Sequence, residues 1–350
     1  MYVRLNGRLL LGTLAVAVTV ASAAACGSSD NPPPIGSGPG NSSSGGGGGV
    51  SGAVSLYTSE PDTDAAKLIT GFNTKYPNVK VNVFRSGTEQ VVSKIEAEKQ
   101  AGGVQADVIF IADSLTMEKL KANDVLAQYA SPEAKNIPQQ YVTPYYTGTK
   151  LITTGIAINT TRVKADPNSW SNLAKPEAKG LALPSPLYSG AAAYNVAVMA
   201  DDPQLGWAFW NSLAANSPKV EQGNGAVLKD VAGGQSSYGM VVDYLVARAA
   251  EAGSPVKFIY PQEGVPAITE PIAVSKSTKN QAAAQAFIDY TLSLDGQKTA
   301  EQLGYVPLNP AAPVPNGLKG VKDLKILQGD NSKLLGEIDA AKQKFQSTFK

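Results

Sequence analysis

Five short stretches place small hydroxyl, amide or acidic side chains, mostly beside glycine, where an apolar run gives way to a helix-like one. They are Thr58-Ser59-Glu60, Ser86-Gly87-Thr88-Glu89, Asp113-Ser114, Ser189-Gly190-Ala191 and Gly223-Asn224-Gly225. The chemistry open to them is capture of a small anion. A helix start leaves backbone N–H groups without intrahelical partners and carries the positive end of the helix dipole. Gly87, Gly190 and Gly225 let a ligand approach the backbone closely. Ser, Thr, Asp and Asn are also ordinary N-caps, and Ser86-x-x-Glu89 has capping-box spacing. One stretch alone therefore marks only a helix start, and the anion reading rests on the set. The carboxylates near the same edges are Glu60, Asp113, Asp243 and Glu263. Asp243 closes the apolar run "YGMVV". A buried acid there needs a partner, either a ligand amine or hydroxyl or a structural donor. Glu263-Gly264 sits in a turn, as a hinge or a ligand contact.

Bond-making chemistry finds little support. The 350 residues contain no histidine, which removes the commonest general base and metal ligand from every mechanism. "GGQSSYG" lacks the second glycine of a nucleophile elbow, and no Walker A or G-x-G-x-x-G sequence is present. No catalytic residue, metal or cofactor is expected. A carboxylate pair cleaving glycosides remains the alternative from another class, a tethered hydrolase. The net charge of +1 gives no electrostatic case for nucleic acid.

The elements that must position these residues follow from hydropathy. Arg4 and Arg8 precede an apolar stretch, Leu9 to Val20, too short to span a membrane. Small residues then lead to Ala25-Cys26. This is a secretory signal over 1–25, with Cys26, the one cysteine of the chain, as a lipidation site. Residues 26–52 are a Gly/Ser/Pro tether with almost nothing to bury. From Ala53, "AVSLYTS", "VKVNVFRS" and "ADVIFIAD" read as strands, each followed by a helical segment with short connections. That alternation predicts a doubly wound α/β unit, in which ligands bind beyond the carboxyl ends of the strands. "KLITTGIAINT" reads as a strand leaving this unit, and "VPAITEPIAVSK" as one crossing back. The expected organisation is a first lobe from 53–157 and 265–350, and a second lobe from 158–264.

With these motifs in place, the chain resembles the solute-binding proteins of ABC importers, in the class with two crossover strands. The carriers include "VSLYTSEPDTDAAKLITGFNTKYPNVKVNVFRSGTEQ", "SPLYSGAAAYNVAVM", "QGNGAVLKDVAGG" and "GMVVDYLVARAAEAGSPVKFIYPQEGVPAITEPIAV". The resemblance implies a two-lobed type II periplasmic-binding fold with the ligand between the lobes. It implies an exported monomer working with a membrane permease and facing the periplasm or the cell exterior. The wider group includes ferric-ion, hexose-phosphate and aminoethylphosphonate binders. Its ferric branch uses a tandem tyrosine pair in the second lobe, where this chain has "GGQSSYGMVVDY" with Tyr238 standing alone. The resemblance is to the organophosphorus branch, and ferric ion is the alternative. It implies an anion held by Ser59, Ser86, Thr88, Ser114, Ser189 and Gly190, with Asn224, Asp243 and Glu263 for the remainder of the ligand. Thr58, Gly87, Asp113 and Ala191, at the same junctions, complete the expected ligand-binding set.

Overall fold

The computed structural model describes residues 49–350 except Gln328. The expected signal segment, Cys26 and nearly all of the tether lie outside the described residues. The chain forms β1 (Gly52–Thr58), α1 (Asp62–Lys75), β2 (Val79–Arg85), α2 (Thr88–Gln100), β3 (Val108–Phe110), α3 (Ser114–Ala122), β4 (Thr147–Gly148) and β5 (Lys150–Asn159). It continues with β6 (Leu181–Pro184), α4 (Gly190–Asp201), α5 (Gly206–Ala215), β7 (Lys219–Glu221), α6 (Asn224–Ala232), β8 (Tyr238–Val242), α7 (Asp243–Glu251) and β9 (Val256–Ile259). Then come β10 (Ala267–Ile268), β11 (Pro271–Val274), α8 (Gln281–Leu292), α9 (Leu294–Gln302), β12 (Val306–Pro307) and α10 (Asn331–Thr348).

Two sheets result. The first has the order β2-β1-β3-β11-β4, with β1, β2 and β3 parallel and β11 antiparallel to β3. The second has the order β10-β5-β8-β6-β7, with β9 and β12 also pairing β5. Successive side chains of a strand point to opposite faces, and a doubly wound strand must bury both. In the first sheet Val54, Leu56, Val108 and Phe110 pack against α1 and α8, while Tyr57, Ile109 and Ile111 pack against α2 and α3. In the second, Ile156, Leu181, Leu183 and Met240 face α4, α5 and α10, and Ala157, Ala182 and Val241 face α6 and α7.

Strand β5 is buried along its whole length. Its start pairs β12 and β10, and its remainder pairs β8 and β9. The returning segment is not one strand. It divides into β10 on β5 and β11 on β3, with Glu270 at φ +38° between them. Helix α10 packs on α4, and its Leu334, Ile338, Ala341 and Phe345 join the core around Trp170 and Trp210. The apolar face of α4, rich in alanine and valine, needs a cover, and α10 supplies it. Residues 331–348 therefore pack chiefly on the second-sheet half and also reach the first, where Asp339 pairs with Lys119 at 2.6 Å and Lys342 with Glu89 at 2.8 Å.

Candidate functional site

The strand-to-helix junctions of both sheets face one cavity of about 350 Å³. From the first-sheet half come Ser59 and Pro61 ahead of α1, Arg85 at the end of β2, Gly87 and Thr88 at the start of α2, and Ala112. From the other half come Tyr188, Ser189, Gly190 and Ala191 at the start of α4, Gly223 to Ala226 at the start of α6, and Val242, Tyr244 and Leu245 at the start of α7. Ile152, Ile268 and Glu270 belong to the crossing segments. Five helix N-termini thus open on one space. No side chain caps the first turn of α2 or α6, so their orphan N–H groups stay available.

Ser189 caps α4, its Oγ accepting from Ala192 N at 3.2 Å. The same Oγ accepts from Asn224 Nδ2 at 3.1 Å, while Asn224 Oδ1 accepts from Val242 N at 3.3 Å. One amide therefore ties the starts of α4, α6 and α7 together. Two other cavity-lining hydroxyls, Ser59 Oγ and Thr88 Oγ1, are buried without a hydrogen-bond partner. Such groups cost about 1–3 kcal/mol each unless something satisfies them.

The halves meet closely at two glycines. A Cβ on Gly87 would run into the Tyr188 carbonyl oxygen. One on Gly190 would lie 2.7 Å from Thr88 Oγ1 and 2.8 Å from Asp113 Oδ2. Asp113 stands behind this contact, fully buried, accepting from Thr116 N and Thr116 Oγ1 at 2.8 Å each. Burial raises its carboxyl from 3.8 to about 6.

Charged groups form a second layer. Arg85 Nε donates to the Glu60 carbonyl at 2.9 Å, and its Nη1 lies 3.4 Å from Tyr188 Oη across the halves. The buried Lys150 ammonium bonds to Glu60 and forms a salt bridge to Glu270 Oε2 at 2.9 Å. Burial raises the Glu60 carboxyl, opposed by Lys150. The Tyr244 and Tyr305 rings meet tilted at 38°, with centroids 4.2 Å apart, and the Arg248 guanidinium lies over both. Arg248 also spans the halves to Asp64, with Nη2 to Oδ2 at 2.9 Å.

Of the residues expected at the site, Ser59, Gly87, Thr88, Ser189, Gly190, Ala191 and Asn224 line the cavity, and six others do not. Thr58 is fully buried, its Oγ1 accepting from Glu60 N at 3.0 Å. Ser86 donates its backbone N–H to the Thr58 carbonyl at 3.2 Å, outside the lining. Asp113 and Ser114 sit behind the wall at the start of α3. Asp243 is held by structural donors: Thr153 Oγ1 at 2.7 Å, Thr153 N at 3.2 Å and Tyr244 N at 2.8 Å. Glu263 bonds Ser169 and accepts from Trp170 N at 3.3 Å, at a turn outside the cavity lining. Sequence reasoning missed Arg85, Tyr188, Tyr244 and Glu270. The glutamate carried no sequence signal: a residue before proline is expected in extended backbone, whereas Glu270 sits at φ +38° between β10 and β11.

Residues 57–306 match the family described as bacterial extracellular solute-binding protein. The chain belongs to that family. Members bind a small solute outside the cytoplasm and work with the permease of an ABC importer, and they are binding proteins rather than enzymes. The fold is that of the periplasmic binding protein AfuA from Actinobacillus pleuropneumoniae, solved with exogenous fructose-6-phosphate. The TM-score is 0.77 and the identity 23%, covering 85% of this chain and 98% of that one. The Fe(3+)-binding periplasmic protein of Serratia marcescens is 24% identical over 256 residues, 70% of this chain and 75% of its own length. Spermidine/putrescine-binding periplasmic protein 1 of Haemophilus influenzae is 26% identical over 250 residues, 66% and 67% of the two lengths.

Proposed function

We propose that this solute-binding protein captures a small organophosphorus anion, a phosphonate such as aminoethylphosphonate or a sugar phosphate, and delivers it to its permease. The observation that carries this reading is the convergence of five helix N-termini on one cavity that also holds two unsatisfied hydroxyls, Ser59 Oγ and Thr88 Oγ1. A phosphoryl group has three acceptor oxygens and negative charge. Helix-start N–H groups, hydroxyls and the Arg85 guanidinium are the donors that suit it. The volume of about 350 Å³ lies at the small end for ligand sites. The binding protein of fructose-6-phosphate with the same fold adds support.

Capture would involve closure of the two halves by hinge motion at the crossing segments. Gly87 against Tyr188, and Gly190 against Thr88 and Asp113, would be the contacts made on closing. Residues 53–157 with 265–330 would form one lobe, and 158–264 with α10 the other. Cys26 would carry a lipid anchor, with residues 26–52 as the leash.

A thermal-shift panel tests the ligand class, using aminoethylphosphonate, hexose phosphates, inorganic phosphate, ferric citrate and putrescine. A ligand at about 100 times its Kd stabilises by about 2.7 kcal/mol. Stabilisation by ferric citrate alone would sink the proposal. For that competing ligand, Tyr188 and Tyr244 would be the phenolate donors. Burial raises the Tyr244 phenol well above its ordinary value, which opposes ionisation.

A further inference from the structure

The two sides of helix α10 make contacts of different kinds. One side is anchored in the second-sheet half: Leu334, Ile338, Ala341 and Phe345 are at most 7% exposed in the core around Trp170 and Trp210. The other side meets α2 and α3 of the first-sheet half through charges. Asp339 Oδ2 lies 2.6 Å from Lys119 Nζ on α3, and Lys342 Nζ lies 2.8 Å from Glu89 Oε2 on α2. Within α10, Lys342 also pairs with Asp339 at 2.9 Å. Four charges of alternating sign, Lys119, Asp339, Lys342 and Glu89, therefore run from α3 over α10 to α2.

This second contact is built to part. Between α2, α3 and α10 lies an open space of about 490 Å³, with Val92, Leu120, Leu335 and Ile338 in its wall. A permanent helix contact is close-packed, as α10 is on α4, whereas a space of this size leaves the facing helices joined chiefly by their ion pairs. Among the described residues, Leu115 is the one apolar side chain of α1, α2 and α3 in the core that α10 completes. The charges also stand beside the closing contact. Glu89 follows Thr88, which meets Gly190 at the start of α4, and α10 lies along α4. If Thr88 and Gly190 separate, Glu89 moves with α2 and Lys342 moves with α4, so their pair must break.

We infer that α10 is an electrostatic clasp: fixed in the second half, it holds α2 and α3 of the first through Lys119, Asp339, Lys342 and Glu89, and so favours the closed arrangement of the halves over an open one. This rests on the proposed closure of the halves and not on which solute fills the cleft. A contact made only in the closed state shifts the open–closed balance towards closing, and raises the affinity of any ligand that needs closure. The Lys342–Glu89 pair should contribute most, because its side chains are 13% and 21% exposed, against 64% for Asp339. Salt should loosen the clasp, since exposed parts of the chain are screened over about 8 Å at physiological ionic strength.

The test measures the separation of the halves without ligand, by pulsed electron double resonance between spin labels. Val83→Cys and Val220→Cys carry the labels in a Cys26→Ser chain; both positions are exposed and lie on β2 and β7, the outermost strands of the two sheets. Lys342→Met removes the charge and keeps the apolar stem of the side chain. It should shift the ratio of long to short distances roughly 3- to 10-fold towards long, the range of a partly sheltered ion pair. Glu89→Gln should do the same, and adding it to Lys342→Met should change little further. Raising sodium chloride from about 50 to about 500 mM should lengthen the distances in the parent and barely affect Lys342→Met. The salt series needs no clasp variant, so it decides the matter even if Lys342→Met fails to fold. Distances that shorten with 2-aminoethylphosphonate yet ignore salt and both variants would overturn the clasp and leave hinge closure standing. Distances that change under none of these conditions would refute the closure as well.

Discussion

Gly190→Ala separates the anion cleft from ordinary helix architecture. Gly190 is the first residue of α4, and a Cβ there would sit 2.7 Å from Thr88 Oγ1 and 2.9 Å from Thr88 Cβ. That is 0.7 Å short of the 3.4 Å at which ordinary contact begins. The neighbours cannot yield cheaply. Thr88 is 1% exposed at the start of a helix, and Asp113 is held by two hydrogen bonds from Thr116. Overpacking of this kind costs about 1–3 kcal/mol. If the cost falls on closing the halves around a ligand, Kd should rise about 5- to 150-fold. The ligand-free protein should keep its stability, because at the first position of α4 the helix itself gains little from either residue and the cost falls only on closing. Titration calorimetry with the best ligand of the panel, beside thermal unfolding without ligand, measures both. Gly336→Ala is the control: it lies within α10 with nothing within 4 Å of the added methyl, and should stabilise without changing affinity. Affinity of Gly190→Ala within twofold of wild type would refute the reasoning. A fall in the ligand-free melting temperature would show the contact to be a fixed part of the fold.

Ser59→Ala and Thr88→Val each remove a buried hydroxyl without a partner. Each should leave ligand-free stability unchanged or slightly raised while weakening affinity about tenfold by calorimetry; unchanged affinity in both would remove these hydroxyls from the site. Asp243 is raised by burial from 3.8 to about 6. The native state binds its proton more tightly than the unfolded chain does. Its contribution is thus complete below pH ~4 and lost as pH rises through ~6, about 3 kcal/mol in all. Urea unfolding of Asp243→Asn at pH 4 and pH 7 should show a correspondingly flatter pH dependence than wild type, and parallel curves would contradict the burial argument. Phe345→Ala removes a 3%-exposed ring that meets Trp210 edge-on at 5.6 Å. It should cost about 3–5 kcal/mol in urea unfolding, and a loss below 1 kcal/mol would mean that α10 is not part of that core.

Local pattern made much of this architecture legible. The alternation of apolar runs with helical segments up to residue 122 is a short-range signal. So are the helix starts at Thr88, Gly190 and Asn224, where glycine beside a small polar residue marks the boundary. Residues whose role depends on distant partners were not legible. Asp243 could be read as a ligand acid or a structural one because its donor, Thr153, lies 90 positions earlier on β5. Glu263 is likewise taken by Ser169, 94 positions away. Arg85 was visible only as the end of a strand, since its neighbours Glu60 and Tyr188 come from other elements. Glu270 was hidden because "VPAITEPIAVSK" has the period of one strand, and only tertiary pairing splits it between two sheets. The packing of α10 on α4 joins segments more than a hundred residues apart, which no local periodicity encodes.

That last packing bears on when the protein can fold. The core around Trp170 and Trp210 is built largely from residues 156–240, yet it is closed by Leu334, Ile338 and Phe345. During synthesis, some ninety residues emerge between the last strand of that core and the helix that covers it. Until they do, the apolar face of α4 has no lid, and this half stays short of its native stability. Chains generally fold from the N-terminus as they are made. A core whose completion waits for α10 stays unfinished until that helix has been made, so this half of the protein sets its structure late.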